Sequence, residues 1–293
     1  YCRGTLTARE CVFRANTWGS VVFASGDSEF INCRFLDNSL SSSSVLTAHG
    51  DTMRATGCVF SGNHGSAKLG TAITNFATYM ELSHCLFTGN AADASGPGAI
   101  FDSGLLTRIS HCTFAGNRGR SGTIEHGVLS DSRIELSDCI VWNGPDPFSV
   151  WPETTTEIVV THSNVQGGYP GEGNMDVDPC FVDAGYWDAN GTPDDLTDDV
   201  WVGGDYHLKS QAGHWDAESA NWVLDDVTSA CIDAGDPNAP IDAEPFPNGG
   251  CVNLGAYGGT TEASRTYFGG PVCTTQIAGD INGDCKVDDL DMD

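Results

Sequence analysis

Along the first half of the chain, apolar residues recur two apart in short runs, and the runs themselves recur at a fixed distance. "GCVFSGN" at 57–63 returns as "HCLFTGN" at 84–90 and as "HCTFAGN" at 111–117. Aligned on cysteine, the series Cys11, Cys33, Cys58, Cys85, Cys112 and Cys139 has spacings of 22, 25, 27, 27 and 27 residues. Two positions later stand Phe13, Phe35, Phe60, Phe87, Phe114 and Val141. Residues two apart on a strand share a face, so the cysteine and the aromatic point the same way, into a core. Met80 and Leu82, Thr107 and Ile109, and Ile134 and Leu136 show the same period upstream. A corner such as "SH" or "SD" separates these two strands. A third apolar strand is predicted at "GTAI" (70–73), "GAI" (98–100) and "GTI" (122–124).

Five positions after the cysteines come Asn16, Asn38, Asn63, Asn90 and Asn117. Asparagine tolerates left-handed backbone and its amide bonds neighbouring backbone, so this position reads as a corner whose side chains stack in a ladder. Three strands per turn of 22–27 residues predict an all-β chain, a right-handed parallel β-helix. One outward row tests the register. Four residues before the cysteines stand Glu29, Arg54, Glu81, Arg108 and Glu135, alternating in sign, so coils stacked about 4.8 Å apart would set every charge between opposite ones.

Twelve cysteines are an even count, which suggests disulfides in a secreted protein. The ladder cysteines, however, sit on an inward strand position, where the thiol acts as a small apolar group, and stacked side chains point in parallel rather than converging. Mostly reduced, buried thiols are expected there. Cys231 and Cys251 instead bracket a Pro-rich loop, and a bridge between them would contribute roughly 3 kcal/mol in the chain-entropy model. Cys273 and Cys285 form a second candidate pair.

Charge divides the molecule. Formal net charge is −27, and residues 169–293 hold 25 of the 40 acids against three bases, Lys209, Arg265 and Lys286. A phosphate backbone would be repelled, so no nucleic-acid partner is expected. No run of 18 apolar residues exists to span a membrane as a helix. Tyr1 falls inside a repeat and Asp293 inside a motif, so the sequence reads as a piece of a longer or processed chain. Three regions are expected: regular coils at 1–165, irregular C-terminal coils and a cap with acidic loops at 166–268, and a calcium loop at 269–293.

"DPCFVD" (178–183), "GDYHL" (204–208), "CIDAGDP" (231–237) and "NLGAYGG" (253–259) resemble the C-terminal coils of large secreted bacterial right-handed β-helix proteins, the parallel β-helix repeat or pectate-lyase-like group. The C-x-F-x-x-N and G-A-I phrases also resemble the polymorphic outer-membrane protein repeat. These resemblances cover most of residues 5–268. They imply a fold and an extracellular or cell-surface location, and little about activity, because the shared residues are core and corner residues.

The stretch "GDINGDCKVDDLDMD" places Asp280, Asn282, Asp284, the Lys286 carbonyl, Asp288 and Asp291 at positions 1, 3, 5, 7, 9 and 12 of a loop, the spacing that wraps Ca²⁺. It is similar to the first half of a dockerin, except that Cys285 replaces the turn glycine and the second loop is missing. "DANGTPDDLTDD" (188–199) is a weaker second candidate, equally readable as a solvated acidic turn.

His84, His111 and Asp138, just before the cysteines, would stack at a corner, where two imidazoles and a carboxylate can bind metal or exchange protons. The same position accepts Gly57, Asn32 and Glu10, as an exposed corner would. Polygalacturonase-like hydrolases carry N-T-D, G-D-D, G-H-G and R-I-K phrases that are absent from this sequence. No catalytic residue is assigned. The expected function is a non-enzymatic, secreted, calcium-binding β-helix with a structural or adhesive role, able to associate end to end as a filament or surface-layer subunit or to meet a polysaccharide or cell-surface partner. The alternative is a carbohydrate-active lyase, hydrolase or binding module, with Trp151, Trp187, Trp201, Trp215 and Trp222 available to stack on sugars.

Overall fold

A computed structural model describes residues 2, 4–41, 43–65, 69–92, 96–127, 131–150, 155–270 and 287. Among them every regular element is a strand, and the strands of residues 6–165 stack in parallel as a right-handed β-solenoid of about six turns. The first sheet has seven strands, from Leu6–Arg9 through Tyr79–Ser83 to Thr156–Thr161. The second also has seven, from Val12–Arg14 through Leu86–Thr88 to Asn164–Val165, and the third has six, from Val22–Ala24 to Phe148–Val150. A short fourth sheet of three strands, Ser39–Leu40, His64–Gly65 and Ala91–Ala92, lies at the asparagine corner.

The inward rows are those the two-residue period predicts. Cys58, Cys85, Cys112 and Cys139 and Phe60, Phe87 and Phe114 are fully buried. The phenylalanine rings stack nearly flat from Phe13 to Phe114 at 4.7–4.8 Å, one ring per coil. The ladder thiols are free. Each donates to the carbonyl two residues back, as Cys139 Sγ does to Ser137 O at 3.1 Å. Ser163 takes the cysteine's place in the seventh coil, donating to Thr161 O at 2.8 Å and accepting from Cys139 N at 3.1 Å. A hydroxyl fits there because the position asks for a small donor rather than for sulfur.

The asparagines form the expected ladder, but they are not the left-handed residues. Each amide donates to the next asparagine's Oδ1, at 2.8 Å for Asn63–Asn90 and Asn90–Asn117, and from Asn38 onward also to a phenylalanine carbonyl of the preceding coil. The left-handed backbone falls one residue earlier, at Ala15, Asp37, Gly62, Gly89 and Gly116, with φ between 53° and 65°. The amide is thereby freed to turn inward and bond. A second left-handed row, Glu10, Asn32, Gly57, His84, His111, Asp138 and His162, forms the corner before the cysteines. Asn, Asp and Gly tolerate this conformation best, which accounts for part of the row's variety.

The third strands start at Ile73, Ile100 and Ile124 and run past the predicted phrases to Asn75, Asp102 and His126. Residues 169–177 close the last coil. Val165 N donates to Met175 O at 2.9 Å, Asn174 Nδ2 to Val160 O at 2.8 Å, and Tyr169 packs edge-on against Phe148. The remaining residues, to 270, pair as antiparallel hairpins and turns laid along the outside of the coils. They enclose a second apolar core with Phe181, Tyr206, Leu208 and Cys231.

Candidate functional site

Four groupings of polar side chains could carry chemistry. On the outer face of the first sheet, Glu29, Arg54, Glu81, Arg108 and Glu135 are in register as expected. The charges resolve into pairs rather than a continuous ladder: Arg9–Glu29 at 3.1 Å, Arg54–Glu81 at 3.1 Å and Arg108–Glu135 at 2.9 Å. Arg54 and Arg108 each turn to the glutamate of the following coil, and their heads lie 5.7 and 6.0 Å from the Tyr79 ring. Glu135 takes a second guanidinium, with Arg133 Nε at 2.6 Å, and these two arginines hold its carboxyl below the usual range. A shallow groove of 350 Å³ crosses this face and contains Glu81, Arg108, Arg133 and Glu135.

The corner histidines do stack, with His84 and His111 rings 4.9 Å apart and 8° from parallel. The solvated corner expected from the sequence is not what forms, because residues 231–266 cover it. Asp138 is buried: its Oδ1 accepts from Asp236 N at 2.7 Å and its carbonyl from Gly255 N at 2.9 Å. His111 Nε2 is buried without a partner, and desolvation lowers this imidazole's pKa, against the opposing pull of Asp138. Within the covering segment, Glu244 Oε1 accepts from Asn253 N and Gly259 N, both at 2.8 Å. Burial still pushes its carboxyl up to about 7, helped by Asp233 and Asp242.

Inside the solenoid is a grouping that sequence reasoning missed. Asn75, Asp102 and His126 are in register at the end of the third sheet. Asn75 Nδ2 donates to Asp102 Oδ1 at 2.7 Å, Asp102 Oδ2 lies 3.0 Å from His126 Nδ1, and His126 Nε2 lies 2.7 Å from Ser132 Oγ. Ser132 Oγ is 3.0 Å from Thr156 Oγ1, and Gly104 N donates to Asp102 Oδ1 at 3.2 Å. With its proton on Nδ1, His126 donates to Asp102 and accepts from Ser132, and every group has a partner. The connectivity is that of a Ser-His-Asp relay. However, Ser132 is 4% exposed and His126 and Asp102 0%, so the hydroxyl meets other interior groups rather than a substrate. The signal was in the sequence as Asn75, Asp102 and His126 at equal steps after the third-strand isoleucines, but only stacking joins them to Ser132.

The tryptophans proposed as sugar platforms are largely engaged in packing. Trp187 and Trp201 face each other across a hairpin of Tyr186–Asp188 and Val200–Val202. The hairpin lies on the asparagine corner, where Trp201 sits so close to Gly89 and Gly116 that an added Cβ would stand 2.0 and 2.2 Å from its ring. Trp187 Nε1 donates to Gly116 O at 2.8 Å, and Arg118 stacks on the Trp187 ring at 4.4 Å while pairing with buried Asp199. Trp215 and Trp222 pair on another hairpin, capped by Arg265 3.8 Å from the Trp222 ring. Trp151 lies outside the described residues.

The Cys231–Cys251 bridge is not formed; both are free thiols. Cys231 Sγ accepts from Asn164 Nδ2 at 3.2 Å and Cys251 Sγ donates to Gly235 O at 3.1 Å. Burial raises the Cys231 thiol to about 11, which keeps it protonated and unreactive. The Pro-rich loop is held instead by Asp233, which accepts from Gly249 N at 3.0 Å and from the Thr266 hydroxyl at 2.8 Å. Cys273, Cys285 and the loop donors Asp280, Asn282, Asp284, Lys286, Asp288 and Asp291 lie outside the described residues. Among the described residues no group of three or more His, Cys, Asp or Glu side chains has the geometry to hold a metal ion, and no helix is long and apolar enough to cross a membrane.

Comparison with known proteins adds two matches. The family model described as a right handed beta helix region matches residues 1–166. A second, described as disaggregatase related, matches residues 163–235, from the last coil through the Trp187–Trp201 hairpin to Cys231. No curated protein and no solved structure matches the chain.

Proposed function

We propose that this chain, which belongs to the right-handed β-helix family, is a non-enzymatic extracellular protein with a structural or adhesive role, and that its C-terminal acidic loop binds Ca²⁺. The observation that carries the reading is how the reactive-looking groups are used. The Ser132–His126–Asp102 relay is an interior strut, the His84–His111–Asp138 corner is covered, and the surface arginines and glutamates neutralise one another in pairs. General acid–base work needs a carboxyl or imidazole that reaches substrate and can give up its salt bridge. The calcium assignment rests on the spacing of oxygen-bearing residues over the 12 positions from Asp280 to Asp291.

The cap at 169–177 bears on how such a protein would assemble. Open-ended head-to-tail stacking needs a bare edge at each end of the solenoid, and here the last coil is partly sealed. Among the described residues, Leu6–Arg9 and Val12–Arg14 each pair with one strand, while Val22–Ala24 also bridges to Cys2.

The carbohydrate-active reading has one observation in its favour, the groove with two glutamates and two arginines on the first sheet. Against it, both carboxylates are held by guanidinium groups. Electron microscopy of the native protein with and without EDTA, together with calorimetric Ca²⁺ titration of the wild type and of Asp280→Ala, tests the first reading. Calcium binding lost in the variant and calcium-dependent particles are expected. Absence of calcium binding, or release of unsaturated or reducing ends from acidic polysaccharides, would overturn it.

A further inference from the structure

The asparagine corner is regular for four rungs and then opens. At each rung the residue after an asparagine donates to the carbonyl of the asparagine one coil back: Ser39 to Asn16, His64 to Asn38, Ala91 to Asn63 and Arg118 to Asn90, all at 2.8 Å. Gly144 should donate likewise to Asn117. Its N–H instead donates to Gln166 Oε1 at 2.6 Å, and the Asn117 carbonyl accepts no hydrogen bond from the described residues. The cause is local: Trp142, before Asn143, stays in a strand where the other coils place a left-handed residue, and the turn shifts to Gly144 at φ 115° followed by Pro145.

The side-chain ladder breaks at the same level. Asn143 Oδ1 accepts from Asn117 N at 2.7 Å and from Asn117 Nδ2 at 3.2 Å, which fixes the orientation of its amide. Its Nδ2 is then buried with no partner, whereas Asn63, Asn90 and Asn117 each have two acceptors. A buried unpaired donor is costly and calls for an explanation.

Asn117 and Asn143 line two adjoining cavities of 530 and 250 Å³, which also share Gly119 and Arg120. Leu196 and Thr197, from the acidic loop of the packed hairpin, wall the larger one. Both matched segments of the chain thus contribute to the groove. Arg118 is engaged by Asp199 and Trp187, but Arg120 makes no ion pair among the described residues. The one carboxylate among the described lining residues is Asp146.

We propose that this open rung is a docking site for an extended, acidic peptide segment of a partner protein. The vacant hydrogen bonds are those of a neighbouring strand. An incoming N–H would donate to the Asn117 carbonyl, and an incoming carbonyl would accept from Asn143 Nδ2 once that side chain shifts out of its buried position. Gly144, where an added Cβ would meet nothing within 4 Å, lets a main chain approach closely. Arg120 then holds a carboxylate of the peptide, a planar anion that matches its fork. The proposal rests on the adhesive reading above and names what adheres; it is separable from the calcium loop, because neither Arg120 nor Asn143 belongs to that loop.

The test is fluorescence anisotropy with a labelled octapeptide alternating glutamate and valine, and its glutamine–valine counterpart. The acidic peptide should bind and the neutral one at least about tenfold more weakly, the worth of one charge-assisted hydrogen bond. Affinity should fall as added salt shortens the Debye length from about 30 to about 8 Å. Arg120→Gln and Leu196→Asp alter exposed side chains, so both should keep the wild-type melting temperature and lose at least about tenfold in affinity. Equal binding of both peptides, no binding of either, or Arg120→Gln without effect would overturn the proposal. Arg120-dependent binding of an oligouronate but not of the acidic peptide would overturn it in favour of an acidic glycan.

Discussion

Removing the imidazole of His126 tests whether the interior relay is a strut. In His126→Ala, Asp102 keeps Asn75 Nδ2 and Gly104 N on Oδ1 but loses the donor 3.0 Å from Oδ2, and Ser132 loses its partner at 2.7 Å while keeping Thr156 Oγ1. All of this happens at side chains with 0–4% exposure, out of contact with bulk water. Leaving a buried carboxylate and a buried hydroxyl each short of a hydrogen-bond partner costs about 3–5 kcal/mol, about 1–3 for a neutral group and more for a charged one. At roughly 2 °C per kcal/mol for a chain of this size, the melting temperature should drop by about 6–10 °C. Scanning calorimetry at pH 7 reads that drop directly. Adding Asp102→Asn to His126→Ala removes the orphaned charge and should recover at least about 1 kcal/mol, a coupling that a double-mutant cycle isolates. A single variant within about 1 kcal/mol of wild type, or a double variant no better than His126→Ala, would refute the reasoning.

Two further predictions concern the packed C-terminal region. The folded carboxyl of Glu244 sits at about 7, above its ordinary 4.5, so the protonated form favours the fold and that contribution is lost as pH rises from 4.5 through 7. Glu244→Gln should therefore match the wild type near pH 4.5 and exceed it by up to about 3 kcal/mol at pH 8; parallel pH profiles in urea unfolding would contradict this. In Gly116→Ala the new methyl meets the Trp201 ring at 2.2 Å while the backbone stands at φ 65°, so the hairpin should lift off the corner. A red shift and gain of tryptophan emission is expected, and unchanged fluorescence would show that the hairpin can yield elsewhere.

Residue spacing made the solenoid legible because a stacked coil repeats its environment every 22–27 positions. The inward Cys and Phe rows, the asparagine ladder and the in-register charge row each appear as a column in the aligned sequence. What the columns did not show was geometry between them. Asparagine was assigned the left-handed corner, which belongs to the residue before it. The charge row was expected to be continuous, and it pairs because each guanidinium commits to one side.

The candidate sites were legible only in part. Local alternation and repetition, set by strand pleat and coil length, determined the fold class, the core and the register from sequence alone. Tertiary structure decided which polar groups meet: Asp102, His126 and Ser132 inside, residues 231–266 over the histidine corner, the Trp187–Trp201 hairpin on the glycine corner, and the opened rung at Asn117 and Asn143. These contacts join residues distant in the chain and outside the repeat, and a period carries information only about positions that recur.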